Sequence, residues 1–213
     1  TLSAEDPNYY ISDYEDGTIS GIWYQWKENE AEPAIGDGSW LPYSGAFSQG
    51  IFNGTKWLHV KAEDNSGNIA LAKQAFMFDN EAPTITFVTN GSEIVQGDVT
   101  AEISLSDTFS GISEWYYQWS QDGVIDGGKW KPTASSQLHL SNVDGDWYLS
   151  VKAVDASGSE STATSNRFRL DNMPPTGGID IVEEVTNINI IDVNLTAYDA
   201  NYPDEIQYRI SLD

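Results

Sequence analysis

The chain has 213 residues, of which 33 are acidic and 10 are basic, and its formal net charge is −23. A surface this acidic repels phosphate backbones and anionic lipid headgroups, which argues against nucleic-acid partners. No apolar run approaches the roughly 18 residues that a membrane-spanning helix needs, so membrane insertion is not expected of this segment.

Short stretches of alternating apolar and polar residues, broken by Gly, Pro, Asn and Asp, predict β-strands along the chain. Successive strand residues point to opposite faces of a sheet, so each stretch has one predicted inward face. In chain order, the first three inward faces carry Leu2 and Ala4, then Ile22, Tyr24 and Trp26, then Leu58, Val60 and Ala62.

The same three strand patterns return in the second part of the chain and begin a third time. The second set of inward faces carries Ile103 and Leu105, then Trp115, Tyr117 and Trp119, then Leu149, Val151 and Ala153. The third set carries Leu195 and Ala197, then Ile206, Tyr208 and Ile210. The first strand of each set ends at an acidic turn, which is formed by Asp6, Asp107 or Asp199.

Local motifs recur about 92 residues apart, and a fixed period indicates one unit copied in tandem. Residues 61–67 (KAEDNSG) return as 152–158 (KAVDASG), and residues 78–84 (FDNEAPT) return as 170–176 (LDNMPPT). The repeat predicts three modules: residues 1–81 without a first strand, residues 82–173 complete, and residues 174–213 as the beginning of a third. About seven short strands in each complete unit favour two antiparallel sheets packed face to face.

Residues 148–161 resemble the penultimate strand and turn of fibronectin type III and bacterial immunoglobulin-like modules. The Asp-Asn-x-x-Pro-Thr junctions that begin at Asp79 and Asp171 are similar to module boundaries in large bacterial surface proteins of the S-layer or adhesin type. The resemblance implies tandem immunoglobulin-like β-sandwiches at a bacterial cell surface. The chain has no cysteine, so it lacks the inter-sheet disulfide of antibody domains.

The sequence predicts no catalytic site. The two histidines, His59 and His139, occupy non-equivalent positions in their copies, and neither belongs to a recognisable nucleophile motif. Both are predicted to be surface residues of strands. The chain is therefore expected to be non-enzymatic, with no cofactor other than calcium.

Calcium is the metal that the acidic residues favour, because Ca²⁺ takes six to eight oxygen ligands. The candidate ligands lie in loops where strands end: Asp6, Asp13, Glu15 and Asp16 in one loop, Asp79 and Glu81 at the first junction, and Asp171 at the second. The alternative is that these side chains only cap turns, which is the usual role of Asp-Asn sequences.

Four aromatic residues are predicted to lie on outward faces, where they form a candidate strip for carbohydrate or protein: Trp23, Trp57, Tyr116 and Tyr148. The alternative is that loops cover them. A loop of residues 8–16, which starts at Asn8, is an insertion of about eight residues relative to the second copy. Insertions confined to one copy are candidates for individual function.

The leading hypothesis is a spacer, stalk or lattice segment of an extracellular bacterial surface protein, whose partners are neighbouring modules. A second is an adhesin or carbohydrate-binding module that uses the outward aromatics and the loop of residues 8–16. A third is a fibre subunit that self-assembles by exchanging strands, because an incomplete sandwich leaves an open sheet edge.

Overall fold

The computed structural model describes residues 19–46, 50–181, 193–202, 206–207 and 209. Every regular element within these ranges is a β-strand, so the predicted all-β class is confirmed. The described part contains no helix long and apolar enough to cross a membrane. The predicted strand at Leu2 and Ala4, the insertion of residues 8–16, and Tyr208 and Ile210 lie outside the described residues.

The described chain divides into two compact units. The first comprises the described part of Thr1–Ala82 together with two short segments, Asp107–Gly111 and Asp155–Ser159. The second comprises the described residues of Pro83–Ser106, Ile112–Val154 and Glu160–Asp213.

The first unit contains one antiparallel sheet of four strands in the order β2-β1-β3-β4. Its strands are β1 (Ile19–Lys27), β2 (Leu41–Pro42), β3 (Gly54–Asp64) and β4 (Ile69–Phe78). Tyr24 pairs with Val60 and Trp26 with Leu58, so the residues predicted to share an inward face do share one. The Trp26 ring lies 5.6 Å from the ring of Phe78 in an edge-to-face arrangement, which is a favourable geometry for aromatic pairs.

His59 corrects one expectation from the sequence. It lies on the face of β3 opposite Leu58, as the alternation predicts, but it is buried at 2% exposure and is not a surface residue. Pro33 and Trp40, from the segment between β1 and β2, line the same small cavity as His59. His59 Nε2 lies 3.4 Å from the carbonyl oxygen of Asn29. A connecting segment therefore covers this sheet face, whereas His139 is exposed as predicted.

The second unit contains the remaining strands. They are β5 (Thr84–Phe87), β6 (Val95–Gln96), β7 (Val99–Ser106), β8 (Ile112–Ser120), β9 (Lys131–Pro132), β10 (Gln137–Leu140), β11 (Gly145–Asp155), β12 (Glu160–Thr164), β13 (Phe168–Leu170), β14 (Thr176–Ile181) and β15 (Val193–Tyr198).

Two of the sheets in this unit share one hydrophobic core. One sheet has the order β10-β7-β5, and the other has the order β6-β13-β11-β8-β9 with β12 paired to β11. The buried core residues come from both: Val99, Ala101, Ile103, Leu138, Leu149, Val151, Phe168 and Leu170. Trp115, Tyr117 and Trp119 pack against this core, as their predicted inward face requires. The arrangement is consistent with a β-sandwich.

The strands β14 and β15 form a separate two-stranded antiparallel sheet. Leu195 on β15 is 39% exposed, whereas its counterpart Ile103 on β7 is 3% exposed. Ile103 is more buried because β7 lies between two strands of a sheet that packs on a core, while within the described residues β15 pairs only with β14. Ile206, predicted to begin the next strand, lies in a described segment that is not a strand.

Candidate functional site

Three aspartates from three strand ends meet in the first unit. Asp79 follows β4, Asp107 follows β7, and Asp155 is the last residue of β11. One carboxylate oxygen from each lies within 4.8 Å of the other two. Among the described residues, these three form the group of potential metal ligands that lie close enough together to hold one ion. We call these residues the aspartate cluster.

The loop that follows β7 orients Asp107. Its Oδ1 accepts hydrogen bonds from the backbone amides of Phe109, at 3.1 Å, and Gly111, at 2.7 Å. Aspartate commonly bonds to amides two or more residues further along the chain, because its short side chain reaches them in a turn. The carboxylate is therefore held in one position by its own loop.

Asp79 is held by two loops. Its Oδ1 accepts the amide of Glu81 at 3.0 Å, and its Oδ2 accepts the amide of Ser110 at 3.0 Å. The pKa of Asp79 is lowered, first by Ser110 and then by the Glu81 amide, because hydrogen-bond donors favour the ionised carboxylate. Asp79 therefore carries a negative charge at neutral pH.

Asp155 is the most buried member of the aspartate cluster, with 2% exposure. Its Oδ1 accepts the amide of Ser159 at 2.9 Å and the hydroxyl of Ser157 at 2.8 Å. Its Oδ2 is also buried, and it has no hydrogen-bond partner among the described residues. Burying a carboxylate oxygen without a donor is unfavourable, since the oxygen loses the water that would solvate it.

In the equivalent turn between β3 and β4, both oxygens of the aspartate accept hydrogen bonds. Asp64 Oδ1 accepts the amide of Asn68 at 2.7 Å, and Asp64 Oδ2 accepts the side-chain amide of Asn68 at 2.7 Å. Asn68 therefore satisfies both carboxylate oxygens within the turn. Ser159 stands at the corresponding place after Asp155, and its hydroxyl bonds to Ser157 instead. The difference between Asn68 and Ser159 leaves Asp155 Oδ2 without the side-chain donor that Asp64 has.

Backbone hydrogen bonds tie the loops of the aspartate cluster together. Ala156 donates its amide to the carbonyl oxygen of Gly111 at 3.1 Å, and Ser110 donates its amide to Asp79. No ion pair between described residues includes a member of the cluster. Three carboxylates therefore lie together in a preformed site, and none of them is ion-paired with a described lysine or arginine.

The predicted calcium ligands have three different placements. Asp79 belongs to the aspartate cluster. Glu81 Oε1 accepts a hydrogen bond from the side-chain amide of Asn53 at 2.8 Å. Asp171 Oδ1 accepts a hydrogen bond from the side-chain amide of Asn201 at 3.1 Å. The remaining predicted ligands lie outside the described residues, namely Asp6, Asp13, Glu15 and Asp16.

Asp107 and Asp155 are not among the calcium ligands that the sequence predicts. A signal for them was present, because both occupy strand-end positions that carry an aspartate in more than one copy. Asp107 corresponds to Asp199, and Asp155 corresponds to Asp64. Recurrence alone could not show that acids from three separate turns meet, since that depends on how the strands are arranged in space.

The four candidate aromatic contacts are all half-buried. The Lys61 ammonium lies 4.3 Å from the centre of the Trp23 ring, and the Lys152 ammonium lies 4.9 Å from the centre of the Tyr116 ring. The pKa of the Tyr116 hydroxyl is raised, chiefly by its hydrogen bond to Glu114. Two of the four rings therefore already have a charged partner within the chain.

Tyr148 and Trp57 are the other two aromatic candidates. The Tyr148 ring packs against Gly123, where an added Cβ would lie 3.4 Å from the ring. Trp57 lies on β3 opposite Ala75 of β4 and Lys27 of β1. Trp23 and Trp57 thus lie on strands of the first unit, and Tyr116 and Tyr148 lie on strands of the second.

Comparisons with known proteins add no further assignment. No protein-family model matches this sequence, and the search of curated proteins finds no match either.

Proposed function

We propose that the chain is a non-enzymatic spacer or stalk segment of an extracellular bacterial surface protein, built from tandem immunoglobulin-like β-sandwich modules. The observation that carries this proposal is a pattern of hydrogen bonds that occurs at both predicted module ends. Residues that recur in a repeat and make the same backbone contacts in each copy serve the scaffold of that repeat.

At the first module end, Asn80 connects the chain leaving β4 to the segment before β3. Its amide donates to Oδ1 of Asn53 at 2.8 Å, and its side-chain amide donates to the carbonyl oxygen of Phe52 at 2.8 Å. These contacts anchor the last residues of the module to the module's own body.

At the second module end, Asn172 makes the same pair of contacts. Its amide donates to Oδ1 of Asp144 at 2.7 Å, and its side-chain amide donates to the carbonyl oxygen of Val143 at 2.8 Å. Asp144 replaces Asn53 as the acceptor, which changes the residue type but keeps the acceptor oxygen. The equivalence supports module ends near residues 81 and 173.

The hairpin turns support the repeat in the same way. Gly67 and Gly158 both adopt the left-handed backbone region, with φ values of 86° and 92°. Glycine occupies this region without the steric penalty that a Cβ would impose. In each turn the glycine amide donates to the carbonyl oxygen of the turn aspartate, which is Asp64 or Asp155. Both copies therefore close this hairpin with the same geometry.

The aromatic residues favour a spacer over a carbohydrate-binding module. An open sugar platform needs an unoccupied ring face, whereas Trp23 and Tyr116 each lie close to a lysine ammonium of a neighbouring strand. Cation–π contacts of this kind stabilise the sheet surface. The net charge of −23 makes neighbouring copies of the chain repel one another in solution. Such repulsion suits a spacer, which separates other parts of a protein without associating with its neighbours.

Single-molecule force spectroscopy tests the proposal. The chain would be pulled between reference domains, and a load-bearing module should unfold in a discrete step. A unit of about 90 residues releases on the order of 300 Å of extended chain. Such a step at a resolvable force is the expected result. Gradual extension without a force peak would contradict a load-bearing role.

A glycan array separates the spacer from the binding module. The purified chain is expected to show no specific retention. Specific retention that is lost in Trp57→Ala or Trp23→Ala, with the far-ultraviolet spectrum unchanged, would replace the spacer with a carbohydrate-binding function. Concentration-dependent polymerisation in light scattering would favour the fibre subunit.

A further inference from the structure

We propose that Asp79, Asp107 and Asp155 bind one Ca²⁺ ion in the first unit. The inference goes beyond the spacer function and does not depend on it, because it concerns a site built from three loops of the described chain. It adds Asp107 and Asp155 to the calcium ligands and leaves out Glu81, which is not a member of the cluster.

The unpartnered oxygen of Asp155 distinguishes this cluster from an ordinary group of surface acids and indicates a bound cation. Acidic residues on a surface can remain close together because water solvates each of them. Asp155 is 2% exposed, and its buried Oδ2 has no hydrogen-bond donor among the described residues. A bound cation would satisfy this oxygen directly. The equivalent Asp64 does not need a cation, because Asn68 donates to both of its oxygens.

The surrounding hydrogen bonds orient the three carboxylates before any ion arrives. Amides of the loops bond to Asp79, Asp107 and Asp155, so each side chain loses little freedom on binding. The backbone contact between Ala156 and Gly111 holds two of these loops together. Such preorganisation favours affinity, because the protein does not have to be ordered by the ion.

The ligand atoms and their spacing select a hard divalent cation. Carboxylate oxygens suit Ca²⁺ and Mg²⁺, and the cluster contains no thiolate or imidazole that would favour Zn²⁺. Calcium binds oxygen at about 2.3–2.6 Å, so ligands on opposite sides of the ion are about 5 Å apart. The ligand oxygens of the cluster all lie within 4.8 Å of one another, which is within that span. Magnesium requires about 2.0–2.1 Å and a more compact octahedron.

The bound ion would couple the loops that follow β4, β7 and β11. Without it, three carboxylates repel one another at short distance, and the hydrogen bonds between the loops oppose this repulsion. With it, the loops share a common ligand. Because the ion binds the folded cluster and not the unfolded chain, calcium should raise the melting temperature in proportion to the logarithm of its concentration.

Calorimetric titration with CaCl₂ tests the site. The full chain, purified in chelator and exchanged into metal-free buffer, is expected to bind calcium and to melt at a higher temperature when calcium is present. Asp155→Asn keeps an acceptor at Oδ1 but removes the charge and the unpartnered oxygen. It should weaken calcium binding at least tenfold and abolish most of the shift in melting temperature.

Asp64→Asn is the matched control. It changes the equivalent aspartate of the other hairpin, which lies outside the cluster, and should leave calcium affinity within about twofold of the unchanged chain. If Asp155→Asn does not fold, as judged by circular dichroism, Asp107→Asn replaces it with the same expected loss.

Four outcomes would overturn the proposal. They are no calcium binding by the unchanged chain, equal binding by Asp155→Asn when that variant is folded, an equal loss in Asp64→Asn, and tighter binding of Mg²⁺ than of Ca²⁺. None of them bears on force-induced unfolding in chelator, so failure of the calcium site and failure of the spacer function are distinguishable.

Discussion

At the scale of single residues, the immediate neighbours of a polar side chain decide its state. Asp64 and Asp155 occupy the same position in two similar turns, yet Asp155 alone keeps a buried oxygen without a donor. Asn68 makes the difference by donating to both oxygens of Asp64. The alternation of β3 correctly places His59 on the outer face, but the segment between β1 and β2 buries it.

The contact between Asp64 and Asn68 predicts a measurable change in acid titration. The pKa of Asp64 is lowered, first by the Asn68 side chain and then by the Asn68 amide. Asn68→Ala removes the side-chain donor and should move this pKa upward, toward the ordinary aspartate value of about 3.9. Carbon-detected nuclear magnetic resonance of the Asp64 carboxyl measures the change.

The sign of the effect on stability follows from linkage. A carboxyl whose pKa is lower in the folded state contributes stability above its unfolded pKa of about 3.9, and the contribution disappears as the pH falls through the folded value. Asn68→Ala should therefore reduce stability at pH 6 and have little effect below the folded pKa. Ser66→Ala in the same turn is the control, because it keeps the Ser66 amide that bonds to Asp64, and an equal pKa shift in that variant would contradict the assignment to Asn68.

At the scale of elements, strand alternation predicted the burial pattern well where a sheet packs on a core. Leu149, Val151 and Ala153 on β11 are all fully buried, as expected from their shared face. Ser150 on the opposite face is also buried, because β12 pairs beside it and its hydroxyl bonds to Thr164. Periodicity predicts which face a residue takes, but not whether another element covers that face.

The connection after β5 predicts a severe effect of one small substitution. Gly91 is buried, and a Cβ added there would overlap the backbone carbonyls of Arg167 and Asn166. Backbone atoms cannot move aside as a flexible side chain can. Gly91→Ala should destabilise the chain by about 2 kcal/mol or more, since overpacking typically costs about 1–3 kcal/mol. Urea denaturation measures the loss.

Gly36→Ala is the matched control for this substitution. A Cβ added at Gly36 would have nothing within 4 Å, so the free energy of unfolding should stay within about 0.5 kcal/mol of the unchanged chain. If both variants had the same stability, the close approach of the two backbone segments at Gly91 would be contradicted.

At the scale of the whole molecule, charge is the dominant feature. A net charge of −23 on 213 residues makes the folded chain repel itself, and dissolved ions screen this repulsion. The Debye length falls from about 30 Å at 0.01 M salt to about 10 Å at 0.1 M. Raising KCl from 0.01 to 0.1 M in the presence of chelator should therefore raise the melting temperature, which differential scanning calorimetry measures.

Potassium chloride separates this general effect from calcium binding. Asp155→Asn removes only one of 33 acidic charges, so its response to KCl should match that of the unchanged chain. Its melting temperature should respond less to calcium than that of the unchanged chain, because the variant lacks one ligand of the aspartate cluster. A melting temperature that is independent of KCl would show that self-repulsion contributes little to the stability of this chain.

The sequence by itself determined the all-β class and the inward faces of the strands, because alternation with a period of two follows from the geometry of a single strand. It also contained the recurring turn aspartates. Only the tertiary structure decided that Asp79, Asp107 and Asp155 meet, that His59 is covered and that Asp155 Oδ2 lacks a donor. The meeting of the aspartates and the covering of His59 depend on residues far apart in the chain, and local sequence patterns carry no information about such distances. The missing donor depends on the burial of Asp155 together with the local difference between Asn68 and Ser159.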